Sequence, residues 1–269
     1  MFNLNQISSE ARFRAPRIIL LGVEKIGKST FASESDNPVF LPIGGEEGID
    51  SLGVNATPAC SNYNDVIGWL CSLGKDSHNY KTVVIDSASA LEPLIHAEAC
   101  KNLGDSDNIS KAGGGWGAGY NESLRLWRGV TDVLDALRDE KDTTSILIGH
   151  VKVRRFDDPA GESYDQYVFD VQEKAHNLLY RWADCILFMN TKVLVKKEDV
   201  GFGKQKARGL EITPGSRYLY TQKRPAHPGG GRGVYGQLPY ELLLPRNKSW
   251  NVFKDAVVNA IANATGKTT

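Results

Sequence analysis

Short apolar runs return along the chain at Ile18 to Leu21, Val39 to Leu41, Val83 to Ile85, Ser145 to Ile148 and Cys185 to Met189. Runs of this kind predict strands buried on both faces, the habit of a parallel sheet. Between them, Asn64 to Leu73 and Leu124 to Glu140 carry apolar residues three and four apart, including Leu126, Val130, Val133, Leu134 and Leu137. That spacing gathers the apolar side chains on one face and predicts helices covering the sheet. From Thr191 to Leu244 the pattern shortens to β-type pieces, Leu194-Val195, Leu210 to Ile212 and Tyr218 to Thr221, broken by Gly and Pro. Hairpins at one sheet edge are expected there. A last helix is expected near Trp250 to Ala262. The fold class that follows is α/β: a mostly parallel central sheet flanked by helices, with a C-terminal β-hairpin edge.

Three segments, Lys111 to Gly119, Lys152 to Asp170 and Lys223 to Gly236, break these patterns and read as mobile loops. Composition narrows the class further. With 269 residues, 41% hydrophobic and 24% charged, the chain has a core to bury and is neither disordered nor collagen-like. Its 32 basic residues balance 32 acidic ones, so polyanion binding has to come from local basic patches rather than a global field. Cys60, Cys71, Cys100 and Cys185 are scattered without a C-x-x-C pair or nearby His, which fits neither a disulfide framework nor a zinc site and predicts a reduced, cytoplasmic setting. The N-terminal residues lack the apolar core of a signal peptide and no run reaches membrane-spanning length, so no membrane partner is expected.

Candidate chemistry begins at Gly22-Val23-Glu24-Lys25-Ile26-Gly27-Lys28-Ser29, which fits G-x-x-x-x-G-K-[ST] between a predicted strand and Thr30-Phe31-Ala32, residues able to continue as a helix. Glycines let backbone N–H groups close around phosphate oxygens, Lys28 reaches the β and γ phosphates, and Ser29 holds Mg²⁺. A second metal ligand is supplied by Thr82-Val83-Val84-Ile85-Asp86, an apolar strand ending in an acid, as a Walker B strand does. Activating water requires a base, and Glu46 and Glu47, just after the run Val39 to Leu41, are the candidates. At the end of the fourth run, Ile146-Leu147-Ile148-Gly149-His150 brings His150 to the carboxyl edge of the sheet, where open α/β folds bind ligands.

Taken in order, Gly22 to Thr30, Glu46-Glu47-Gly48-Ile49-Asp50, Val83 to Leu91 and Ile146 to His150 resemble the RecA ATPase core. Val151 to Pro159 and Arg181-Trp182-Ala183-Asp184 are similar, more closely, to the core-only RecA-like ATPases of bacteriophages, the Sak-type single-strand annealing and recombination proteins. The resemblance implies a RecA-like sheet, ATP and Mg²⁺ use, binding of single-stranded DNA, help from a single-strand-binding protein, and a homo-oligomer, ring or filament, in the bacterial host cytoplasm. It also implies that Glu46 is the water-activating glutamate and His150 the γ-phosphate sensor. The expected organisation is residues 1–15 as an N-terminal extension and oligomer contact, 16–244 as the ATPase core and 245–269 as a C-terminal helix.

By the same resemblance two loops touch DNA, about Asn108 to Tyr120 and Lys152 to Asp170. In the first, Trp116 and Tyr120 sit among glycines, where an aromatic ring either stacks on a base or pins the loop to the core. In the second, Lys152, Arg154 and Arg155 with Phe156 offer phosphate contacts and a stacking surface. Lys192 to Arg232 holds ten basic residues against three acidic ones, among them Lys196, Lys197, Lys204 and Lys206. That segment is either a DNA-facing edge or a solvated basic hairpin. Lys223, Arg224 and Arg232 are the candidates for a cation reaching a neighbouring subunit's γ-phosphate, and the same residues are alternatives for holding DNA phosphates. The expectation is an ATP-hydrolysing recombination protein. The alternative is a DNA-annealing scaffold that binds ATP without turnover.

Overall fold

The computed structural model describes residues 13–45, 48–104, 106–159, 161–199, 205–211 and 215–266, with only the backbone course through 193–199 and 205–211. The chain opens with β1 (Arg17–Gly22), α1 (Lys28–Ser33), β2 (Pro38–Pro42), β3 (Asn55–Ala56), α2 (Tyr63–Lys75), β4 (Thr82–Asp86) and α3 (Ala88–Leu103). It continues through α4 (Ala118–Lys141), β5 (Thr144–Gly149), β6 (Val151–Phe156), β7 (Tyr164–Phe169), α5 (Glu173–Trp182) and β8 (Cys185–Asn190). Short strands follow as β9 (Val193–Asp199), β10 (Gln205–Glu211), β11 (Arg217–Tyr220), β12 (Gly230–Gly231) and β13 (Glu241–Leu244), and α6 (Ser249–Thr265) comes last.

The main sheet has the order β13-β11-β8-β1-β5-β4-β2-β3, with β12 beside β8. All pairings from β8 to β3 are parallel, while β11 and β12 each pair antiparallel with β8, and β13 pairs antiparallel with β11 at the far edge. The α/β class, the parallel sheet and its hairpin edge are those expected from the pattern. The five apolar runs are buried because both faces are covered. On β1, Ile19 and Leu21 join a core with Trp127, Phe169 and Phe188 under α2 to α5, whereas Ile18 and Leu20 join Phe31, Trp250 and Phe253 under α1 and α6. Alternate residues of one strand therefore serve two separate cores, which is why no polar alternation survives in the sequence.

One helix and a strand pair escape the periodic reading, while α5, whose buried Ala175, Leu179 and Trp182 keep one face, is a further helix not among those expected. In α3, polar and apolar residues interleave around Pro93, leaving no clear stripe. It starts instead on a local signal, the Ser87 hydroxyl accepting the Ala90 N–H at 3.1 Å. α5 begins the same way, on Gln172 accepting the Lys174 N–H. The segment Lys152 to Asp170, expected as a mobile loop, is mostly the antiparallel pair β6–β7 with Phe156 against Tyr164, ring centroids 5.3 Å apart. Cross-strand pairing of alternate side chains makes that segment a hairpin despite its charge. The β9–β10 hairpin likewise pairs only with itself among the described strands.

At the strand beginnings, buried Asp184 accepts from Arg17 Nη2 at 2.9 Å and lies 3.2 Å from Arg138 Nη2. It ties β1 and α4 to the entrance of β8. At the other end of the molecule, Glu34, which follows α1, accepts from the N–H groups of Lys248 and Trp250 and from the Ser249 hydroxyl. One carboxylate thus caps α6 and docks it beside the phosphate-loop helix. Burial alone would push the Glu34 carboxyl up, but those hydrogen bonds outweigh it and hold it below the ordinary glutamate value. Glu34→Ala should lower the unfolding free energy by about 1–2 kcal/mol in urea titrations at neutral pH. Because the folded value is the lower one, this contribution is full above the ordinary glutamate range and fades as pH falls through the folded value, so the gap between variant and parent should close in acid.

Candidate functional site

The parallel register brings the motif residues to one edge. Gly22 at the end of β1 pairs with Met189 of β8, Leu21 with Gly149 at the end of β5, and Ile148 of β5 with Asp86 at the end of β4. From Gly22 the chain turns through Val23, Glu24, Lys25 and Ile26 to Gly27, which precedes α1 at φ 98°. That left-handed backbone suits glycine, and a Cβ on Gly27 would sit 2.3 Å from the Arg217 guanidinium. Gly22 is constrained differently: a Cβ there would meet the Met189 carbonyl oxygen at 2.7 Å. No side chain caps α1, so its first N–H groups are not taken up by a side-chain cap.

Lys28 is buried, and its Nζ donates to the carbonyls of Gly22 and Val23, both at 3.0 Å. Its ammonium is held inside the loop it closes. The Ser29 hydroxyl donates to Asp86 Oδ2 at 2.6 Å across the intervening strand β5. A hydroxyl and a buried carboxylate in contact form a hard-oxygen donor pair, the kind that suits Mg²⁺ alongside phosphate oxygens. The phosphate and metal groups expected from the sequence therefore fit the residues present. Thr30 follows within α1.

Glu46 and Glu47 lie outside the described residues. The described residues on either side of them border the site: the Ile43 N–H donates to the Asp86 carbonyl at 2.7 Å, and a Cβ on Gly48 would lie 3.9 Å from Ser29 Oγ. His150 stands one residue beyond β5, half-buried, its N–H donating to the Ser89 hydroxyl at 3.1 Å and its carbonyl accepting from the Asp170 N–H. It joins the edge of the sheet that carries Gly22 and Asp86.

The remaining candidates scatter. Trp116 is fully exposed at φ 52° in a run of left-handed glycines, so it does not pin its loop to the core; Tyr120 does pack inward, edge-on to His96. Lys152 and Arg154 line a cavity with Lys223, while Arg155 takes the opposite face of β6, 3.8 Å from Asp165, and Phe156 packs on Tyr164. Arg224 covers the Tyr240 ring at 3.5 Å. Arg232 lies beside the beginning of β8, 3.9 Å from Asp184 and donating to the Arg181 and Ala183 carbonyls, at the opposite end of the sheet from Lys28. Lys196 and Lys197 fall on β9 and Lys206 on β10; Lys204 is outside the described residues.

One residue at the site had no motif to announce it. Arg217 opens β11, and its guanidinium donates to the Ile26 carbonyl of the phosphate loop and to the Pro245 and Arg246 carbonyls. It clamps the loop to the segment that leads into α6. Only the antiparallel return of β11 along β8 brings it there, which a linear reading of the sequence does not reveal.

A glycine loop closed by a buried lysine, with its serine bonded to a strand-end aspartate, defines a P-loop NTPase site. The sequence profile of a family described as an AAA domain matches residues 14–233, and the chain belongs to that family. Among solved structures it is similar to the RadB recombinase, at 14% identity and a TM-score of 0.40, over 77% of this chain and 81% of that one. No curated protein matches the sequence. Among the described residues no helix is long and apolar enough to cross a membrane. Arg217→Ala should leave the fold intact and weaken nucleotide binding about 5- to 30-fold, the worth of about 1–2 kcal/mol of lost loop anchoring, as read by titration of a fluorescent ATP analogue.

Proposed function

We propose that the protein is a RecA-like ATPase that binds single-stranded DNA and serves recombination or strand annealing, in the manner of the phage Sak-type proteins. What carries the ATPase part is the contact between the Ser29 hydroxyl and Asp86, beside the buried Lys28 ammonium. Ser29 and Asp86 would hold Mg²⁺, which when bound would supply positive charge against the phosphates. Lys28 exchanges its two carbonyl partners for phosphate oxygens and keeps a fixed positive charge where negative charge builds up. Glu46 takes the proton of the attacking water, and His150 contacts the γ-phosphate. His150 leads directly into β6, whose Lys152 and Arg154 are proposed DNA contacts, so the two sites share a strand connection.

The DNA part rests on the exposed Trp116, the cations of β6 and the basic residues Lys196, Lys197, Lys204 and Lys206, which together offer stacking and phosphate contacts without base readout. A single-strand-binding protein as partner, assembly into a ring or filament and action in the bacterial cytoplasm belong to the same proposal. Of the three cations considered for a neighbour's γ-phosphate, Arg232 is occupied by Asp184 and Lys223 faces a cavity. Arg224, exposed and stacked on Tyr240, is kept for that role.

Measured ATP hydrolysis should rise on adding single-stranded DNA. Glu46→Gln should keep ATP binding while turnover falls about 10²- to 10⁴-fold, since the amide preserves shape and loses the base. The same loss in Glu47→Gln with Glu46→Gln active would move the base to Glu47. Tight ATP binding with no turnover under any condition would favour the annealing scaffold instead.

A further inference from the structure

A cavity of about 570 Å³ opens between the β6–β7 hairpin, α5 and the turn that contains Lys223 and His227. Its size falls within the ~300–1,000 Å³ of small-ligand sites, and none of the phosphate-loop residues enters its wall. Lys152 and Arg154, two apart and so on one face of β6, line it together with Lys223; Glu173 is the acid in the lining. Lys152 also pairs with Asp170 at 2.8 Å, which leaves Arg154 and Lys223 as cations in the wall with no ion pair to an acid among the described residues. Three parts of the chain are held together here. The Tyr167 N–H donates to the Ala226 carbonyl at 2.9 Å, and reciprocal backbone bonds join Arg224 and His227.

The wall also holds aromatic rings, beside the apolar Val168, Val171 and Ile186 and the amides of Gln166, Gln172 and Asn177. His176 stacks on Tyr180 with centroids 3.9 Å apart and planes at 26°. His227 lies 5.1 Å from Phe188 and 4.4 Å from Tyr220, its Nδ1 buried with no hydrogen-bond partner among the described residues. Burial pushes both histidines below their ordinary value, aided at His227 by Arg224 and at His176 by Arg154 and Lys152. Both rings are therefore neutral at neutral pH and act as flat surface rather than as cations. Flat rings beneath a cationic rim match a planar base carrying a phosphate. The surroundings continue the match: Lys174, at the start of α5, donates to Asn121 at 2.6 Å, and a few residues before Asn121 the fully exposed Trp116 offers a second stacking surface.

Resting on the reading that the protein binds single-stranded DNA, we propose that this cavity takes one unstacked nucleotide of the strand, its phosphate met by Lys152, Arg154 and Lys223 and its base by the His176–Tyr180 wall. Lys223 then serves the strand rather than a neighbour's γ-phosphate. The test uses the full chain and an oligonucleotide carrying one 2-aminopurine, followed by anisotropy across salt and by iodide quenching. Asn177→Trp fills the cavity without changing charge; Lys152→Gln with Arg154→Gln and Lys223→Gln removes the rim. Circular dichroism and thermal midpoints check that both variants fold. We expect Asn177→Trp to bind the strand about 10- to 100-fold more weakly, the loss of one stacked base, and to expose the probe to iodide. The triple variant should flatten the log–log salt dependence by about 0.7, the share of the one phosphate no longer neutralised. Strand binding that both folded variants leave unchanged overturns the cavity and spares the DNA reading. Absence of strand binding by the parent protein overturns the DNA reading and this proposal with it. Free dAMP or dTMP binding the parent cavity as tightly as the strand does, with loss in both variants, overturns the strand as the source of the nucleotide.

Discussion

The position of β5 between β1 and β4 is the constraint on which the site depends. Parallel strands share one direction, so whatever follows each of them emerges on the same edge. Leu21 opposite Gly149, and Ile148 opposite Asp86, set the three strand ends level. The Ser29 hydroxyl can then reach Asp86 over the top of β5, and His150 follows between them. A slip of one residue in β1 would exchange its two faces, moving Ile19 and Leu21 out of one core and Ile18 and Leu20 out of the other. With both faces buried, the register has no cheap alternative.

Two polar clusters fix the sheet at its opposite ends, and each occupies charged side chains that would otherwise be free for a partner. At the strand beginnings Asp184 gathers Arg17, Arg138 and Arg232, a buried carboxylate whose removal would leave cations unpaired around it. At the strand ends Arg217 and Glu34 bind backbone groups rather than each other. Arg217 holds the phosphate loop to the approach of α6, and Glu34 holds the first turn of α6. The phosphate loop is thereby supported from behind by the last helix, so that residues more than 180 positions apart hold one glycine turn.

Much of this was legible in the sequence because the signals were local. The five buried strands announced themselves as uninterrupted apolar runs, and the phosphate loop as a fixed spacing of Gly27, Lys28 and Ser29 after a strand. α4 was visible because Leu126, Val130, Leu134 and Leu137 keep one face. What escaped was set by contacts distant in sequence or by signals weaker than periodicity. α3 has no clean apolar stripe, and the β6–β7 hairpin hides behind charge until Phe156 meets Tyr164. Arg217 acquires its position only when β11 turns back along β8. Trp116 shows the converse: an aromatic among glycines permits two readings in sequence, and its full exposure leaves the outward one.

Charge shows most clearly how a linear count differs from a surface. The stretch from Lys192 to Arg232 carries ten basic residues against three acidic ones, which reads as one polyanion-facing edge. Folded, it divides. Lys192 pairs with Glu241 and lies over the Tyr218 ring, Arg217 binds backbone carbonyls, Arg224 covers Tyr240, and Arg232 turns to Asp184. Lys192 and Arg232 are thus set against carboxylates, and a cation beside an opposite charge contributes little field at the surface. Lys223 differs from these, since it meets Lys152 and Arg154 from another part of the sequence in one cavity wall. The positive potential available to a phosphate chain at that place is therefore assembled by the fold from β6 and the turn after β11, and no single segment of the sequence contains it.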